Sequence, residues 1–362
     1  MKRASVLLAV LLVLSLLVVG CAQKAVESPA PEESASAEPE EEAAPEEEAA
    51  PEEEVETIVM KVGHSHSTEA PRHISLLKFE ELVEEKTGGV VDVQIFPSAQ
   101  LGTEQEMVEA VKLGTLQCAR AGMFDLVTNQ LSIYMMPFLF DDVESFQQIA
   151  RGPIGEKIAA TANDVGIEII ATGDAGGFRQ WSNNVRPIKS PADMKGLKMR
   201  APGVITIQET LKAFGANVVT IDYNELYQAL KTGVADGQEN PFVNIVDKKF
   251  YEVQTYLTVA NYQVHPDPFY VNKEWLDSLD PEIKQAVIDS AKEMVAYSDQ
   301  LMIDGNKTAY DNIVASGVEV YELTPEERQV FIDAAQPVYD KFIDEGLIDE
   351  ALFNEVLAAL GR

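Results

Sequence analysis

Residues 280–317 contain one unusually long helical pattern, DPEIKQAVIDSAKEMVAYSDQLMIDGNKTAYDNIVASG. Asp280 and Pro281 form an N-cap and first-turn pair, and apolar residues follow at helical spacing with no further proline before Gly317. At about 1.5 Å per residue, about thirty residues would span roughly 45 Å, which is longer than one small lobe. A single helix of that length would have to bridge two bodies or lie across them. The alternative is two helices broken near Gly305, because glycine is a weak helix former.

Strand and helix patterns alternate along the chain after residue 55. Short strand patterns occur at TIVMKVGH, VVDVQIFP, TLQCARAG, GIEIIATG, LKMRAP and ANVVTID. One helix pattern, EAPRHISLLKFEELVEEKTGG, ends at Gly88 and Gly89, and another begins at Thr103 with Glu106 completing a capping box. This alternation predicts parallel α/β lobes wrapped by helices. Such sheets bind ligands at the carboxyl ends of their strands.

The N-terminus carries an export pattern. Lys2 and Arg3 precede an unbroken apolar run that ends in VVGC, which resembles the lipobox of bacterial lipoproteins. We therefore expect residues 1–20 to be a signal peptide and Cys21 to accept the lipid that holds the protein on a membrane face. The alternative is a buried N-terminal helix.

The following segment, residues 21–54, is rich in Glu, Pro and Ala and has no apolar periodicity. Because its charge is nearly all of one sign, we expect a disordered, self-repelling tether, with an acidic calcium- or partner-binding tail as the alternative. The whole chain has a formal net charge of −32, which argues against nucleic acid and anionic membrane surfaces as partners.

Motifs for enzymatic chemistry are missing from the sequence. There is no GxSxG, Walker loop, GxGxxG or HExxH pattern. The four histidines, His64, His66, His73 and His265, do not have the spacing of a complete metal-ligand set, and Cys118 is expected to be a small core residue. We therefore expect no catalytic residues, no cofactor and no bound metal.

Three arginines are more informative, because they fall in one short window. Arg179 follows a glycine pair, Arg186 lies seven positions further on, and Arg200 ends the strand pattern of KGLKMRAPG at residues 195–203. A guanidinium is shaped to hold a carboxylate through two parallel hydrogen bonds. These arginines therefore predict a site for an organic anion. The alternative is that each pairs with a structural carboxylate such as Asp193.

Four sequence blocks carry a resemblance to a known family. In chain order they are FPSAQLGTEQEMVEAVKLGTLQCA, MPFLFDDVESF, GFRQWSNNVRPIKSPADMKGLKMRAP and VADGQENPF. These blocks resemble the TRAP transporter solute-binding proteins, the DctP-like group of extracytoplasmic receptors, from about residue 55 to near residue 360. The resemblance implies a two-lobed α/β fold of the type II periplasmic-binding-protein kind, with a long helix across both lobes and a ligand closed between them.

The resemblance also assigns roles to individual residues. It implies that Arg200 grips the ligand carboxylate, that Arg179 is a second, more substrate-dependent contact, and that Asn240 lies in the cleft. From the residues alone, Asn240 could instead be an N-cap with Pro241 at the first helical position. Tyr223 falls where the family often has an aromatic residue over the ligand, with a packing tyrosine as the alternative. The expected substrate-binding set is Arg200, Arg179, Asn240, Tyr223, Trp181, Ser65, Glu104 and His265.

This sequence departs from the best-known sialic-acid-binding members of the family. It has Gly122 where they have an acidic residue, Trp181 in place of a small polar residue, and HPDPF at residues 265–269 in place of a less distinctive loop. These differences favour a ligand smaller or flatter than sialic acid, with Trp181 and Tyr223 as walls of the site.

The implied function is capture of a carboxylate-bearing small molecule and its delivery to a TRAP permease with small and large membrane subunits. A ligand sensor for a signalling partner and an enzyme on the same fold are the alternatives. We expect an extracytoplasmic, lipid-anchored monomer. The expected segments are 1–20 signal, 21–54 tether, 55–176 first lobe, 177–264 second lobe, 265–304 return to the first lobe with the long hinge helix, and 305–362 C-terminal helices mainly on the second lobe.

Overall fold

The computed structural model describes residues 57–362. The signal, Cys21 and tether predictions concern the region before residue 57 and so lie outside the described residues. None of the helices in residues 57–362 combines the length and apolar composition that a bilayer crossing needs.

Residues 57–362 form eleven strands and twelve α-helices. The strands are β1 Ile58–Gly63, β2 Val91–Phe96, β3 Cys118–Arg120, β4 Ile167–Asp174, β5 Gln180–Asn183, β6 Lys198–Ala201, β7 Asn217–Thr220, β8 Gly237–Asn240, β9 Tyr256–Val259, β10 Pro266–Asn272 and β11 Glu319–Glu322. The helices are α1 Pro71–Thr87, α2 Glu104–Lys112, α3 Val143–Arg151, α4 Pro153–Ala160, α5 Pro191–Met194, α6 Ile205–Ala213, α7 Leu226–Thr232, α8 Phe242–Asp247, α9 Lys273–Ser278, α10 Pro281–Ala315, α11 Pro325–Asp344 and α12 Glu350–Ala359.

The strands form two separate sheets. The first has the order β2-β1-β3-β10-β4, and the second has the order β11-β9-β5-β8-β6-β7. Most neighbours that are linked through helices run parallel, including β1 with β2 and β6 with β7. Helices cover the sheets and bury their apolar faces, as expected for alternating strands and helices.

The prediction of parallel α/β lobes is wrong for the strands that connect the sheets. Strand β10 is antiparallel to both β3 and β4, and β5 is antiparallel to β8 and β9. The reason is the chain path: β4 leads out of the first sheet into β5 of the second, and β9 leads back through residues 260–265 into β10. A strand that returns beside the one that left must run in the opposite direction.

Helix α10 is continuous from Pro281 to Ala315, 35 residues, so the two-helix alternative is wrong. Asp280 caps its N-terminus by accepting a hydrogen bond from the backbone of Glu282, as the sequence predicts. The first half of the helix packs its buried residues against the core of the first sheet. The second half packs against α8 and the core of the second sheet. At about 1.5 Å per residue the helix is about 52 Å long, and this length lets it connect both sheets.

Candidate ligand-binding site

A small cavity lies where strand ends from both sheets meet. Its walls include His66 beyond β1, Gly122 beyond β3, Ala175 beyond β4, Pro202 beyond β6 and Asn240 at the end of β8. All five strands contribute their carboxyl ends, which is the position that the sequence pattern predicts for a ligand. The larger grooves on the described surface, beside α4 and between α1, α8 and α10, contain no buried arginine. The cavity is therefore distinguished by its buried charge.

Arg200 lies at this cavity and is 1% exposed. Its Nε donates to the carbonyl of Ile221 at 2.8 Å. Within residues 57–362, no carboxylate oxygen is within ion-pair distance of this guanidinium. Burial lowers the pKa of Arg200 to about 10, so the side chain is still a cation at neutral pH. A buried cation without a carboxylate partner is costly, and an anionic ligand would supply the missing charge.

Arg179, just before β5, has a complete set of internal partners. Its Nη2 donates to Glu239 Oε1 at 2.8 Å and to Asn240 Oδ1 at 3.3 Å, and its Nε contacts the other oxygen of Glu239. Burial opposes the charge of Arg179, but the carboxylate of Glu239 more than offsets this and raises its pKa. For Arg179, the alternative that each arginine pairs with a structural carboxylate therefore holds, and the carboxylate is that of Glu239. Arg186 instead donates to the backbone carbonyls of Asp193 and Lys195.

A second buried network lies on the other side of the cavity. Arg72, 2% exposed, contacts Glu104 Oε1 at 3.1 Å through Nη1 and Asp267 Oδ1 at 2.9 Å through Nη2. Arg120 contacts the second oxygen of Asp267 at 2.7 Å. The two contacts to Asp267 are ion pairs by distance but are poorly aligned as hydrogen bonds. Asp267 therefore holds two guanidinium groups at once.

Glu104 connects this network to the first turn of α2. Its carboxylate accepts hydrogen bonds from Ser65 Oγ, from Arg72 and, at 3.0 Å, from the backbone N–H of Gly122. The capping box of Thr103 and Glu106 fixes the start of α2, as the sequence predicts, and so fixes the position of Glu104. Glu104 lines the cavity, while Ser65 lines the adjoining opening toward solvent.

His265 joins the two sides of the site. Its Nε2 lies 2.9 Å from the carbonyl of Gly122, and its Nδ1 lies 2.8 Å from Arg179 Nη1. Because a carbonyl can only accept and a guanidinium can only donate, the ring must be the neutral tautomer protonated on Nε2. Burial and the neighbouring Arg179 hold the pKa of His265 well below its usual value, in agreement with that tautomer.

The remaining histidines are close together but do not form a metal site. His64 Nε2 and His73 Nδ1 are 3.1 Å apart, and burial lowers the pKa of both rings. Burial also lowers the pKa of His66, which lines the cavity. Within residues 57–362 no group of three or more His, Cys, Asp or Glu side chains could hold a metal ion.

Tyr223 lines the cavity and is also packed. Its ring centroid is 5.1 Å from that of His66, and its hydroxyl donates to the carbonyl of Asn244 at 3.1 Å. The cleft-lining and packing interpretations are therefore compatible. Asn240 is the last residue of β8, and Pro241 occupies the N-cap of α8, so the interpretation of Asn240 as the N-cap is wrong by one residue.

Trp181 is not a wall of the cavity, and this part of the sequence prediction is wrong. Its side chain is fully buried, with ring centroids 4.7 Å from Phe331, 5.1 Å from Tyr262 and 5.7 Å from Phe214. Strand β5 lies between β8 and β9 in the sheet. Its side chains point alternately to the two faces of the sheet. Trp181 is one residue inside the strand and packs under α6 and α11, whereas Arg179 before the strand reaches the cavity.

Sequence reasoning missed Arg72 and Glu239 as parts of the site. Arg72 had a recognisable signal: it shares a helical spacing with the buried residues Leu76, Phe79 and Val83, so a charge falls on the apolar face of α1. Glu239 adjoins Asn240 in the VADGQENPF block, but its role depends on the pairing of β5 with β8. The structure brings Arg200, Arg179, Asn240, Tyr223, Glu104, His265 and Ser65 together at the cavity and its opening, and leaves Trp181 outside.

Known proteins are similar to most of this chain. Residues 62–345 match the model of DctP, the bacterial extracellular solute-binding protein family 7. The chain is 31% identical over 289 residues to the 2,3-diketo-L-gulonate-binding periplasmic protein YiaO of Escherichia coli, covering 79% of this chain and 87% of that protein. It is 32% identical over 293 residues to the C4-dicarboxylate-binding periplasmic protein DctP of Rhodobacter capsulatus, covering 80% and 87%.

Solved structures are similar over the same region. The sugar acid binding protein DctPAm from Advenella mimigardefordensis, in complex with galactonate, has a TM-score of 0.80 and 26% identity, covering 84% of this chain and 98% of that one. A TRAP periplasmic solute binding protein from Shewanella oneidensis with bound succinate has a TM-score of 0.79 and 27% identity, covering 84% and 99%. The predicted two-lobed α/β fold is confirmed. The relatives are solute-binding proteins, not enzymes. The chain belongs to the DctP family of bacterial extracellular solute-binding proteins.

Proposed function

We propose that the protein captures a small organic acid between its two sheets, with Arg200 as the group that holds a ligand carboxylate. The observation that carries this proposal is the burial of Arg200 without any carboxylate partner among residues 57–362. Its neighbour Arg179 is already neutralised by Glu239, so Arg200 is the guanidinium that can take an added anion. The acids bound by relatives, among them galactonate and succinate, each carry at least one carboxylate.

The protein then delivers its ligand to a TRAP permease of small and large membrane subunits, from the outer side of the membrane and with Cys21 as lipid anchor. In this proposal the first lobe is residues 55–176 and the second is 177–264, and the chain crosses between them near Gly176 and again near His265. The cavity holds about 40 Å³, which is room for only a few water molecules. An organic acid therefore requires the lobes to open and close around it.

Replacing Arg200 by Lys tests the binding role. Lysine keeps the charge but cannot reproduce the two parallel hydrogen bonds, so we expect affinity to fall about 100-fold or more. Calorimetry and ligand-induced thermal shift would use galactonate, glucuronate and succinate as probes. The matched control is Arg186→Lys, since Arg186 lies outside the cavity and donates to backbone carbonyls. An Arg200→Lys protein that binds as tightly as its parent would refute the proposal.

A further inference from the structure

The buried charges around the cavity do not cancel. Arg200 and the ion pairs at the cavity together contain four guanidinium groups and three carboxylates, so one positive charge is left over: Arg72, Arg120, Arg179 and Arg200 against Glu104, Asp267 and Glu239. Within residues 57–362, no other charged carboxylate, guanidinium or ammonium group lines the cavity or pairs with one of these seven. The surplus lies on Arg200, the one of these seven groups without an oppositely charged partner among residues 57–362.

The other titratable groups near the cavity do not change this count. His265 is held as the neutral tautomer by its two hydrogen bonds, and burial lowers the pKa of His66. Lys248 lies 3.9 Å from the carboxylate of Asp247 and donates to the carbonyl of Ser65 at 2.9 Å. That lysine and its acidic neighbour are a balanced pair. The cavity therefore compensates one negative charge, and a second one would be buried without a partner.

Besides the paired guanidinium groups of Arg72 and Arg179, the cavity and its opening are lined by carboxylates and neutral polar groups. Glu104 lines both the cavity and its opening and is 16% exposed, so its carboxylate can accept a further hydrogen bond. Exposed Asp222 lies at the same opening. A ligand hydroxyl can donate to such oxygens, whereas a second carboxylate beside them would be repelled.

We propose that this site selects organic acids with a single carboxylate and a hydroxyl-bearing remainder over dicarboxylates of the same length. The inference rests on the proposed function, because it takes Arg200 as the anchor of one carboxylate. It adds which acids the site excludes, and the reason is that the cavity has one uncompensated positive charge and is itself lined by the carboxylate of Glu104. The relatives' ligands include acids of both kinds, so membership of the family does not decide between them.

Matched acid pairs test this selectivity directly. Each aldonic acid is compared with the aldaric acid that differs only in having a carboxylate in place of the terminal CH₂OH: galactonate with galactarate, and threonate with tartrate. A third pair without other hydroxyls is 4-hydroxybutyrate with succinate. We expect the monocarboxylate of each pair that binds to have about 100-fold higher affinity by calorimetry at pH 7. Equal or tighter binding of the dicarboxylates would overturn the inference while leaving the proposed function intact.

A variant of Glu104 separates selectivity from simple loss of structure. Glu104→Gln adds one unit of positive charge to the cavity and removes one of the two carboxylate partners of Arg72. We expect the ratio of monocarboxylate to dicarboxylate affinity to fall at least about tenfold, because the dianion then finds a second cation. A purely structural role would weaken both members of a pair equally, and that result would count against the inference. Glu109→Gln, on the exposed face of the same helix, removes the same charge outside the cavity and should leave the ratio unchanged.

One outcome would remove the foundation of this inference. If neither glucuronate nor any acid of these pairs binds the parent protein, the proposed function itself fails and the selectivity has no ligand to act on. Binding by at least one pair, together with loss of that binding in Arg200→Lys, leaves the affinity ratios as a separate test.

Discussion

The surroundings of Arg179 and of Arg200 differ although both arginines are buried at the same cavity, 3% and 1% exposed. Arg179 is held by Glu239, by Asn240 and by His265. Among residues 57–362, the partner of Arg200 is one backbone carbonyl, that of Ile221. Burial alone therefore does not distinguish a structural arginine from a binding one. The set of partners does, because a buried cation whose charge is not compensated inside the protein is available to an external anion.

The difference arises from which strands are neighbours. Antiparallel pairing of β5 with β8 places Gln180 opposite Asn240 and Trp181 opposite Glu239, so a carboxylate lies within reach of Arg179. Arg200 is near the end of β6, and its neighbour β7 continues to Ile221, which offers only its carbonyl. Two arginines from one sequence window thus receive different partners from different strands.

The largest expected effect on stability comes from removing the partner of Arg179. Glu239→Gln would leave a buried guanidinium without its carboxylate, and we expect the free energy of unfolding to fall by about 3–5 kcal/mol. Urea denaturation of the ligand-free protein measures this. The contrasting variant is Arg200→Met, which removes an uncompensated buried charge and should cost little or no stability while abolishing acid binding. If Glu239→Gln lost less than about 1 kcal/mol, the distinction between the two arginines would not hold.

The parts of the fold that sequence reasoning predicts well are those decided by local interactions. The N-cap at Asp280 and the uninterrupted apolar spacing predict α10, and the capping box predicts the start of α2. The alternating pattern of KGLKMRAPG also predicts a strand that ends near Arg200. In each case the signal lies within a few residues of the feature it predicts.

What the sequence could not predict depends on contacts between distant segments. The error for Trp181 arises because its side chain is directed by the pairing of β5 with strands some 60–80 positions away in the chain. The ion pair between Arg179 and Glu239 depends on that same pairing. The antiparallel placement of β10 follows from the path of the chain between sheets, which no local pattern records.

Asp174 can be compared with Arg200, because it is a buried carboxylate without a cationic partner among residues 57–362. It is 2% exposed, its Oδ1 accepts the backbone N–H groups of Gly176 and Gly177, and within residues 57–362 no basic side chain lies within ion-pair distance. Burial raises the pKa of Asp174 to about 7, whereas Arg200 keeps its charge at neutral pH. Between pH 3.8 and about pH 7, Asp174 is therefore protonated in the folded protein but already ionised in the unfolded chain, where its pKa is 3.8.

The raised pKa of Asp174 determines how its contribution to stability changes with pH. The contribution of Asp174 to stability is fully present below pH 3.8 and is lost as the pH rises toward about 7. Asp174→Asn keeps an oxygen for both glycine N–H groups but does not ionise. We expect the variant to gain about 2–3 kcal/mol relative to the parent between pH 5 and pH 8, measured by urea denaturation at both values. Exposed Asp222→Asn is the control and should show no such change. A stability difference that is constant with pH would mean that Asp174 ionises at its ordinary pKa.

The smallest expected effect concerns Asn306, which does not line the cavity but contacts one of the connections between the sheets. Asn306 on α10 donates from Nδ2 to the carbonyl of Gly176 at 2.8 Å, beside two glycines with φ of 132° and 84°. Gly176 is also closely surrounded, since a Cβ there would lie 2.6 Å from Val243. If the contact belongs to the closed form, its loss should shift the population toward the open form. A typical hydrogen bond contributes about 1 kcal/mol, so Asn306→Ala should lower acid affinity about fivefold with Arg200 unchanged.

Calorimetry gives the affinity, and small-angle scattering should show the ligand-free variant to be less compact. Asn312→Ala, on an exposed face of the same helix, is the control. An unchanged affinity and radius would show that Asn306 holds Gly176 equally in both forms, and the hinge would then have to depend on the second crossing near His265.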